Sequence, residues 1–582
     1  MKERVLSKTF DYPNGNLLVT TDWLTRHLES KDLAILDARG VGYGDSHIPG
    51  ALEFEYGDRR EDSVAMERME RRLNDLGLHR EQDYVIYDEG GPDGGAGGVF
   101  WALEYLGCEN VHILDGGWEK WASERRPVSV MAEPFGAGAF MAAPRESVRK
   151  SRGEIAGMLG NADLALVDTR KNEAYNGWRA AGEKRGGHIP GAINIRNEWF
   201  FGPEKTILPC ENLKNILESR GITAEKEICA YGPDAKKSGL TYFILRLMGY
   251  PRCSNFEGGM VAWSADASLP LERLPRYEKL VYPAWVKELL DGKNPPSYPG
   301  RGYVILEVRY TGFSTSQLGE VQPGGYIPGA ISIDPGYVEH GEDASRYFPN
   351  YTSPSHAHVM PPERLEGALA GLGITRDTTV IIYGNGKIIP MTTARVAWAL
   401  MYAGVEDVRI MNGGFPAWEE AGYPVASSPS VPAMAPDTGG SPLRPCCEYL
   451  ATTDRIREVV ARRRKDDVLV DVRTLEEFRG EANFYPFFDK KGRIPNAVWA
   501  GDYFSFVNPD DTFRCSAEVV KNWEEHGLTR ERKPIFYCGT GWRSSVAFFL
   551  AFLMGYPESR NYDGGFFDWS GEPQQGCFAG GA

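Results

Sequence analysis

One cysteine of the chain stands in a loop whose composition suits a reactive thiol. Cys538 follows the apolar stretch Ile535-Phe536-Tyr537 and opens the sequence Cys-Gly-Thr-Gly-Trp-Arg-Ser, which leads into an apolar segment typical of a buried helix. Backbone N–H groups of a small-residue loop at a helix N-terminus converge on one point and stabilise an anion there. Arg543 adds a full positive charge. We therefore expect the loop to favour the thiolate and Cys538 to act as a nucleophile.

The other eight cysteines show no comparable setting. They are spread along the chain without a C-x-x-C pair, so neither a disulfide framework nor a zinc site is predicted. Cys515 and Cys577 lie in the same part of the chain as Cys538. Whether either of them accepts sulfur by thiol exchange stays open at this stage.

The chain repeats itself four times. A turn of the form Ile-Pro-Gly-Ala, with Asn for Gly in the last copy, recurs about 140 to 170 residues apart, which is the size of a domain. Upstream of each turn, a short apolar stretch ends in acid-x-Arg. Downstream come a second apolar stretch ending in tyrosine, a loop, an apolar helix and a Gly-Gly turn with a nearby tryptophan. The acid-x-Arg pairs are Asp37/Arg39, Asp168/Arg170, Glu307/Arg309 and Asp471/Arg473.

The four copies differ at the position that follows the tyrosine. Asp88, Gly232 and Gly384 stand there in the first three copies, and Cys538 stands there in the fourth. Glycine has no side chain that could attack sulfur, and a carboxylate is a poor sulfur nucleophile. We expect the first three copies to be inactive and, since they keep the acid-x-Arg pairs, we expect those pairs to be structural.

Short buried strands alternate with helices throughout, which predicts an α/β fold. Each copy should form a mostly parallel central sheet with helices on both faces, and its chemistry should lie at the carboxyl ends of the strands. The domains are predicted at residues 1–130, 145–272, 277–426 and 446–582.

Together these motifs resemble the rhodanese family of sulfurtransferases. The D-x-R strand end, the H-I-P-G-A turn, the Y-C-x-x-G-x-R-S loop and the G-G-x-x-x-W tail appear in order, and the resemblance covers nearly the whole chain. It implies a cysteine that takes a sulfane sulfur from a donor, holds it as a persulfide and passes it to a thiophilic acceptor. No metal or organic cofactor is implied, because the cysteine itself carries the sulfur. Cys538 would be the nucleophile, Arg543 the anion-binding group, and the substrate cradle would consist of Gly539, Thr540, Gly541, Trp542, Arg543 and Ser544.

Loop length and composition bear on the substrate. Phosphatases that resemble this family use a longer C-x5-R loop, whereas Arg543 stands in a C-x4-R loop, so sulfur is favoured over phosphate. The start Cys-Gly-Thr-Gly resembles enzymes that use 3-mercaptopyruvate, but the arginine resembles thiosulfate-type loops. Glu477 occupies a place where two-domain relatives often have an arginine that grips the donor. We expect thiosulfate as donor and cyanide or another thiophile as acceptor, with 3-mercaptopyruvate as the alternative donor.

Composition excludes other classes of function. A net charge of -15 repels polyanions, so neither nucleic acid nor an anionic membrane is an expected partner. The longest apolar run is too short to span a membrane, and no secretory signal follows Met1, so we expect a cytoplasmic protein. The rival hypothesis is a non-catalytic scaffold or sulfur-carrier binding protein, because three of the four loops lack a nucleophile.

Overall fold

The computed structural model describes residues 10–55, 63–131, 138–310, 324–340, 358–386, 388–431, 441–485 and 489–571. The chain divides into two compact units, Met1–Arg273 and Leu274–Ala582. Each unit contains two α/β domains, and all the strand pairs within the four sheets are parallel. The predicted fold class is confirmed.

Domain 1 has a five-stranded sheet in the order β1-β5-β4-β2-β3. Its elements are β1 (Leu18–Val19), α1 (Thr21–His27), β2 (Leu33–Asp37), β3 (Ala51–Glu53), α2 (Ser63–Asp75), β4 (Asp83–Tyr87), α3 (Ala96–Tyr105), β5 (Val111–Leu114) and α4 (Gly117–Ser123). Alternate residues of β4 face opposite sides. Val85 packs with α1 and α4, whereas Ile86 packs with α2 and α3, so the helices cover both faces.

Domain 2 repeats this topology with the sheet order β6-β10-β9-β7-β8. Its elements are β6 (Arg149–Lys150), α5 (Arg152–Met158), β7 (Leu164–Asp168), α6 (Asn172–Asn176), β8 (Ile193–Asn194), α7 (Cys210–Glu218), β9 (Glu227–Tyr231), α8 (Ala235–Leu247), β10 (Cys253–Phe256) and α9 (Gly259–Ala265). Helix α8 packs directly on α3 of domain 1. A Cβ atom at Gly97 would lie 2.4 Å from the Cα of Leu240, so this close helix approach requires glycine.

Domain 3 has the same strand order, β11-β15-β14-β12-β13. Its elements are β11 (Leu280–Val281), α10 (Pro283–Leu290), β12 (Tyr303–Arg309), β13 (Ile331–Ile333), α11 (Tyr337–His340), α12 (Pro362–Gly371), β14 (Thr379–Asn385), α13 (Ile389–Ala403), β15 (Asp407–Met411) and α14 (Gly414–Glu420).

Domain 4 has a four-stranded sheet in the order β17-β16-β18-β19. Its elements are α15 (Thr453–Val460), β16 (Asp467–Asp471), α16 (Leu475–Arg479), β17 (Val498–Trp499), α17 (Ser516–Glu525), β18 (Lys533–Tyr537), α18 (Trp542–Leu553), β19 (Arg560–Asn561) and α19 (Gly565–Gly571). Helix α18 packs on α13 of domain 3, as α8 packs on α3 in the first unit. The third domain is therefore the direct neighbour of the cysteine-bearing domain.

The recurrent motifs meet at one hydrogen bond in every domain. The hydroxyl of the tyrosine that ends the central strand accepts a hydrogen bond from the backbone N–H of the isoleucine in the Ile-Pro turn. The N···O distances are 3.2 Å for Ile48–Tyr87, 3.1 Å for Ile189–Tyr231, 3.1 Å for Ile327–Tyr383 and 3.2 Å for Ile494–Tyr537. The acid-x-Arg pairs form ion pairs beside this bond in all four domains, as predicted. The shared motifs thus hold the fold together.

Candidate active site

Cys538 lies at the carboxyl end of the central strand β18, directly before helix α18. Residues 538–544, which we call the cysteine loop, form the connection and the first turn of the helix. Gly541 caps α18 with a φ of 82°, and a Cβ atom there would lie 2.6 Å from the backbone oxygen of Asp563. Only glycine fits this turn. The Cys538 side chain itself is buried, with 0% of its surface exposed.

The Gly-Gly turn before α19 orients the cysteine loop. The N–H of Phe566 donates to the carbonyl of Cys538 at 2.7 Å, and the N–H of Phe567 donates to the carbonyl of Gly539 at 3.1 Å. In a trans peptide, C=O and N–H point in opposite directions. The N–H groups of Gly539 and Thr540 therefore point away from the Gly-Gly turn. Both loop carbonyls are therefore bound from the side of the Gly-Gly turn, and the adjoining amides face the opposite side.

Asn561 in β19 supports the same loop through the loop residue Ser544 and the carbonyl of Gly541. The Ser544 hydroxyl donates to Oδ1 of Asn561 at 2.6 Å and lies 3.7 Å from Sγ of Cys538, and the Asn561 amide donates to the carbonyl of Gly541 at 3.0 Å. Domain 2 has the same pair, Ser238 and Asn255, at 2.6 Å, although it lacks the cysteine. The pair therefore supports the loop backbone. Sequence analysis missed Asn561. Its spacing from the cysteine position equals that of Asn255 from the corresponding position of domain 2, and this match was the available signal.

The Arg543 guanidinium is already engaged in the structure. It donates to both carboxylate oxygens of Glu477, at 2.8 and 3.0 Å, and to the hydroxyl of Tyr485 at 2.8 Å. Glu477 is buried at the start of α16, where it also forms a capping box with Thr474. Burial alone would raise the pKa of Glu477, but the hydrogen bonds from Arg543 outweigh it and lower the pKa. A buried carboxylate thus balances the cationic residue of the loop.

Tyr485 lies over the beginning of the cysteine loop. A Cβ atom at Gly539 would lie 2.0 Å from Cζ of the Tyr485 ring, so the ring packs directly on this glycine. Burial raises the pKa of the Tyr485 hydroxyl, which keeps it neutral beside Arg543. The hydroxyl group is therefore a neutral hydrogen-bonding group at the loop. No sequence signal pointed to Tyr485.

Domain 3 contributes to this loop as well. The indole Nε1–H of Trp542 donates to Oε1 of Glu339 at 2.7 Å, and the indole stands edge-on to the ring of Tyr310 with the centroids 5.4 Å apart. Trp542 is a residue of the predicted cradle, whereas Glu339 and Tyr310 belong to domain 3. Sequence reasoning could not find the last two, because they are some 200 residues away from Trp542 along the chain.

The equivalent loop of domain 1 holds one of the chain's own carboxylates. The carboxylate of Asp88, at the cysteine position, accepts hydrogen bonds from the N–H groups of Gly90 at 2.8 Å and Ala96 at 2.9 Å. Burial raises the pKa of Asp88, and these two bonds oppose that shift. The amides of the domain 1 loop are thus occupied by the chain's own acidic group.

In domains 2 and 3, other side chains lie where a side chain at the cysteine position would project. In domain 2, a Cβ atom at Gly232 would lie 2.9 Å from Oγ1 of Thr169. In domain 3, a Cβ atom at Gly384 would lie 2.6 Å from Cγ2 of Ile389, so this side chain fills the space that a nucleophile would need. Among the four positions, Cys538 alone bears a thiol.

The two other cysteines considered for sulfur relay differ in what the structure describes. Cys515 is buried, and its Sγ donates to Oε2 of Glu518 at 2.8 Å. Cys577 lies outside the described residues. The question of a sulfur relay through either cysteine therefore stays open. In the described part of the chain, no three His, Cys, Asp or Glu side chains form a group that could hold a metal ion.

Taken together, the fold and site define a class of protein: tandem parallel α/β domains with a cysteine between the central strand and its following helix. The family of the rhodanese-like domain matches residues 20–124, 151–266, 282–421 and 456–572. The chain therefore belongs to the rhodanese family, with four tandem domains. None of the helices in the described ranges is both long and apolar enough to cross a membrane.

Curated relatives include sulfurtransferases from bacteria. The chain is 30% identical over 426 residues to the thiosulfate sulfurtransferase YnjE of Escherichia coli, an alignment that covers 70% of this chain and 87% of YnjE. It is 31% identical over 273 residues to the thiosulfate sulfurtransferase of Azotobacter vinelandii, covering 45% of this chain and 99% of that protein. These similarities support sulfur transfer of the rhodanese type.

Solved structures similar to this chain include those of EanB. A structure of EanB as a cysteine persulfide, in a tetrahedral intermediate state with ergothioneine, matches with a TM-score of 0.64 and 31% identity, covering 75% of this chain and 100% of EanB. An anaerobic ergothioneine biosynthesis enzyme from Chlorobium limicola, bound to its natural substrate trimethyl histidine, matches equally well over the same shares. Relatives of this chain therefore differ in what they act on.

Proposed function

We propose that Cys538 is the nucleophile of a sulfurtransferase that works through a cysteine persulfide. The Cys538 thiolate attacks the outer sulfur of thiosulfate, the S–S bond of the donor breaks, and sulfite leaves with the bonding electron pair. Cyanide or another thiophile then attacks the terminal sulfur of the persulfide. The S–S bond breaks again, and the thiolate returns to Cys538, so each cycle moves one sulfane sulfur and consumes no cofactor.

The observation that carries this proposal is the arrangement of the cysteine loop. Its carbonyls at Cys538 and Gly539 are bound by the Gly-Gly turn, and the related loop amides of domain 1 already hold the carboxylate of Asp88. A persulfide anion on Cys538 would present its terminal sulfur to amides of the same kind. The cradle residues 539–544 are proposed as its binding site.

Arg543 is proposed to act within this cradle as part of a neutral pair. Because its guanidinium is bound by Glu477, the charge of an incoming donor must be met mainly by the loop amides or by displacement of Glu477. This arrangement favours a small donor, and we propose thiosulfate, with 3-mercaptopyruvate as the alternative.

The test is thiocyanate formation by the purified chain from thiosulfate and cyanide, with 3-mercaptopyruvate as a parallel donor. Cys538→Ser should abolish thiocyanate formation, whereas the matched control Cys515→Ser should leave it within about twofold of the unaltered chain. Mass spectrometry should detect a gain of one sulfur on Cys538 alone. If the folded chain forms no persulfide with either donor, the proposal fails and the scaffold hypothesis takes its place.

A second candidate acceptor is the imidazole ring of a histidine betaine. It is favoured by the EanB similarity together with the position of Tyr485, whose neutral hydroxyl lies beside the cysteine loop and is able to exchange a proton with a bound ring. In this reaction, the terminal sulfur of the persulfide replaces a ring hydrogen. The ring C–H becomes C–SH, and Cys538 is released as the thiol.

This candidate is tested by mixing the persulfide-loaded chain with trimethyl histidine under anaerobic conditions. Detection of ergothioneine by mass spectrometry would support it, and Tyr485→Phe should slow this transfer more than the transfer to cyanide. Thiocyanate formation without any ergothioneine would exclude the imidazole acceptor and leave the first candidate.

A further inference from the structure

Two charged residues of domain 3 contact the start of helix α18 at the Cys538 site. Glu339 in α11 and Arg395 in α13, here called the domain 3 clamp, form an ion pair with an N···O distance of 3.0 Å and no exposed side-chain surface. Neither belongs to the loop of domain 3 that corresponds to the cysteine loop. Their buried position in an inactive domain calls for a role.

Glu339 contacts the start of α18 through the side chain of Trp542. Its Oε1 accepts both the indole N–H of Trp542, at 2.7 Å, and the Nε–H of Arg395, at 3.0 Å. The indole also packs against Tyr310 and Met391, both of which belong to domain 3. Trp542 is the first residue of α18, where the backbone N–H groups have no intrahelical partner, so this hydrogen bond anchors the start of the helix.

Arg395 contacts the same region through Asp563, which packs on the cap residue of α18. Its Nη1 donates to Oδ1 of Asp563 at 2.5 Å, and the backbone of Asp563 packs on Gly541, the residue that caps α18. The N–H of Val359, also in domain 3, donates to the second oxygen of Asp563 at 2.8 Å. The clamp therefore reaches both Gly541 and Trp542, which adjoin in the cysteine loop.

Burying the carboxyl group of Glu339 costs more free energy than burying an apolar side chain at the same position would. Oε2 of Glu339 is buried and has no hydrogen-bond partner among the described residues. Burial raises the pKa of Glu339 to about 8, because Arg395 and the Trp542 N–H do not offset the loss of hydration. An apolar residue at this position would avoid that cost, so the carboxyl group points to a specific role.

We propose that Glu339 is a positioning residue of the Cys538 site, which acts through the indole N–H of Trp542 to hold the amides of the cysteine loop in place. This inference rests on the proposed sulfur transfer through Cys538. It makes domain 3 a working part of the active site although its own loop has no nucleophile, and it predicts an effect on turnover that crosses the domain boundary.

The test compares variants on both sides of this hydrogen bond. Glu339→Leu and Trp542→Phe each remove it, and each should lower kcat for thiocyanate formation at least tenfold with little change in KM for cyanide. The double variant should be no slower than the slower single variant, because both act through one bond. Glu339→Gln keeps an acceptor for the indole and should return kcat to within about threefold of the unaltered chain.

A matched control comes from the first unit. Glu104 is a buried acid in α3 that accepts the Tyr242 hydroxyl and pairs with Arg246 at 2.9 Å across the interface of domains 1 and 2. Glu104→Leu should reduce thermal stability and leave kcat unchanged. If Glu339→Leu and Trp542→Phe are folded and turn over normally, or if their effects multiply, the inference is wrong. If the unaltered chain transfers no sulfur, the proposed function has failed instead.

Discussion

The ion pair of Arg543 and Glu477 permits a quantitative prediction. Arg543→Leu would leave the carboxylate of Glu477, which is 1% exposed, without its bidentate partner. Removing one member of a buried pair costs about 3 to 5 kcal/mol, whereas replacing both members with apolar residues is often nearly neutral. We therefore expect Arg543→Leu to destabilise domain 4 by about 3 kcal/mol or more, and Arg543→Leu with Glu477→Leu to recover most of that loss.

The assay must report on domain 4 separately, since a chain of four domains need not unfold in one step. Hydrogen exchange of peptides from β18 and α18 does so, with peptides from α3 as an internal reference. A loss of about 3 kcal/mol corresponds to amide exchange that is about a hundredfold faster. The lost capping box of Glu477 should leave the double variant about 1 kcal/mol below the unaltered chain.

The control is an exposed pair in the same domain. Arg457 and Asp454 in α15 lie 2.6 Å apart with 45% and 85% of their side chains exposed, and such pairs contribute about 0 to 1 kcal/mol. Arg457→Leu should therefore leave the exchange of β18 and α18 almost unchanged. Equal exchange rates for Arg543→Leu and the double variant would refute the reasoning, because they would show that Glu477 bears no cost when it is left alone.

Two further predictions concern the surroundings of the loop. Gly539→Ala places a methyl group where the Tyr485 ring lies, so the ring must move. We expect at least a tenfold lower rate of persulfide formation by stopped-flow measurement, with Gly571→Ala as a control in open space, and an unchanged rate for Gly539→Ala would contradict the packing. His358 pairs with Asp568 at 3.2 Å, and the hydrogen bond raises its pKa. Its stabilisation should be complete below the unfolded pKa, about 6.5, and be lost as the pH rises through the folded pKa. The difference in Tm between the unaltered chain and His358→Asn should accordingly shrink from pH 5.5 to pH 9, and a constant difference would argue against the pair.

The repeated architecture was readable from local patterns because each motif has its cause within its own domain. The Ile-Pro turn, the strand-ending tyrosine and the acid-x-Arg pair all meet in one hydrogen-bonded cluster per domain, and four copies of the same cluster produce four copies of the same motifs. The candidate nucleophile was equally visible, since Cys538 is the single cysteine among the four equivalent positions. Repetition thus supplied an internal comparison that one copy could not have given.

What surrounds the cysteine was decided by the tertiary structure. The sequence placed Arg543 in the loop but not its partner, because Glu477 approaches it only when α16 is packed beside α18. Tyr485 reaches the loop from an irregular segment with no periodic pattern.

The contribution of domain 3 also has one part that its sequence predicted and one part that only the tertiary structure decided. Its missing nucleophile and the filled space at Gly384 follow from the residues of its own loop, and the sequence sufficed to predict an inactive domain. Its contact with Trp542 depends on how α13 packs on α18, which brings Glu339 to a residue about 200 positions away. Local residue types determined the fold of each domain and pointed to Cys538 as the candidate nucleophile. The packing of one domain on the next determined the environment of Cys538, because long-range contacts arise only once the helices are assembled.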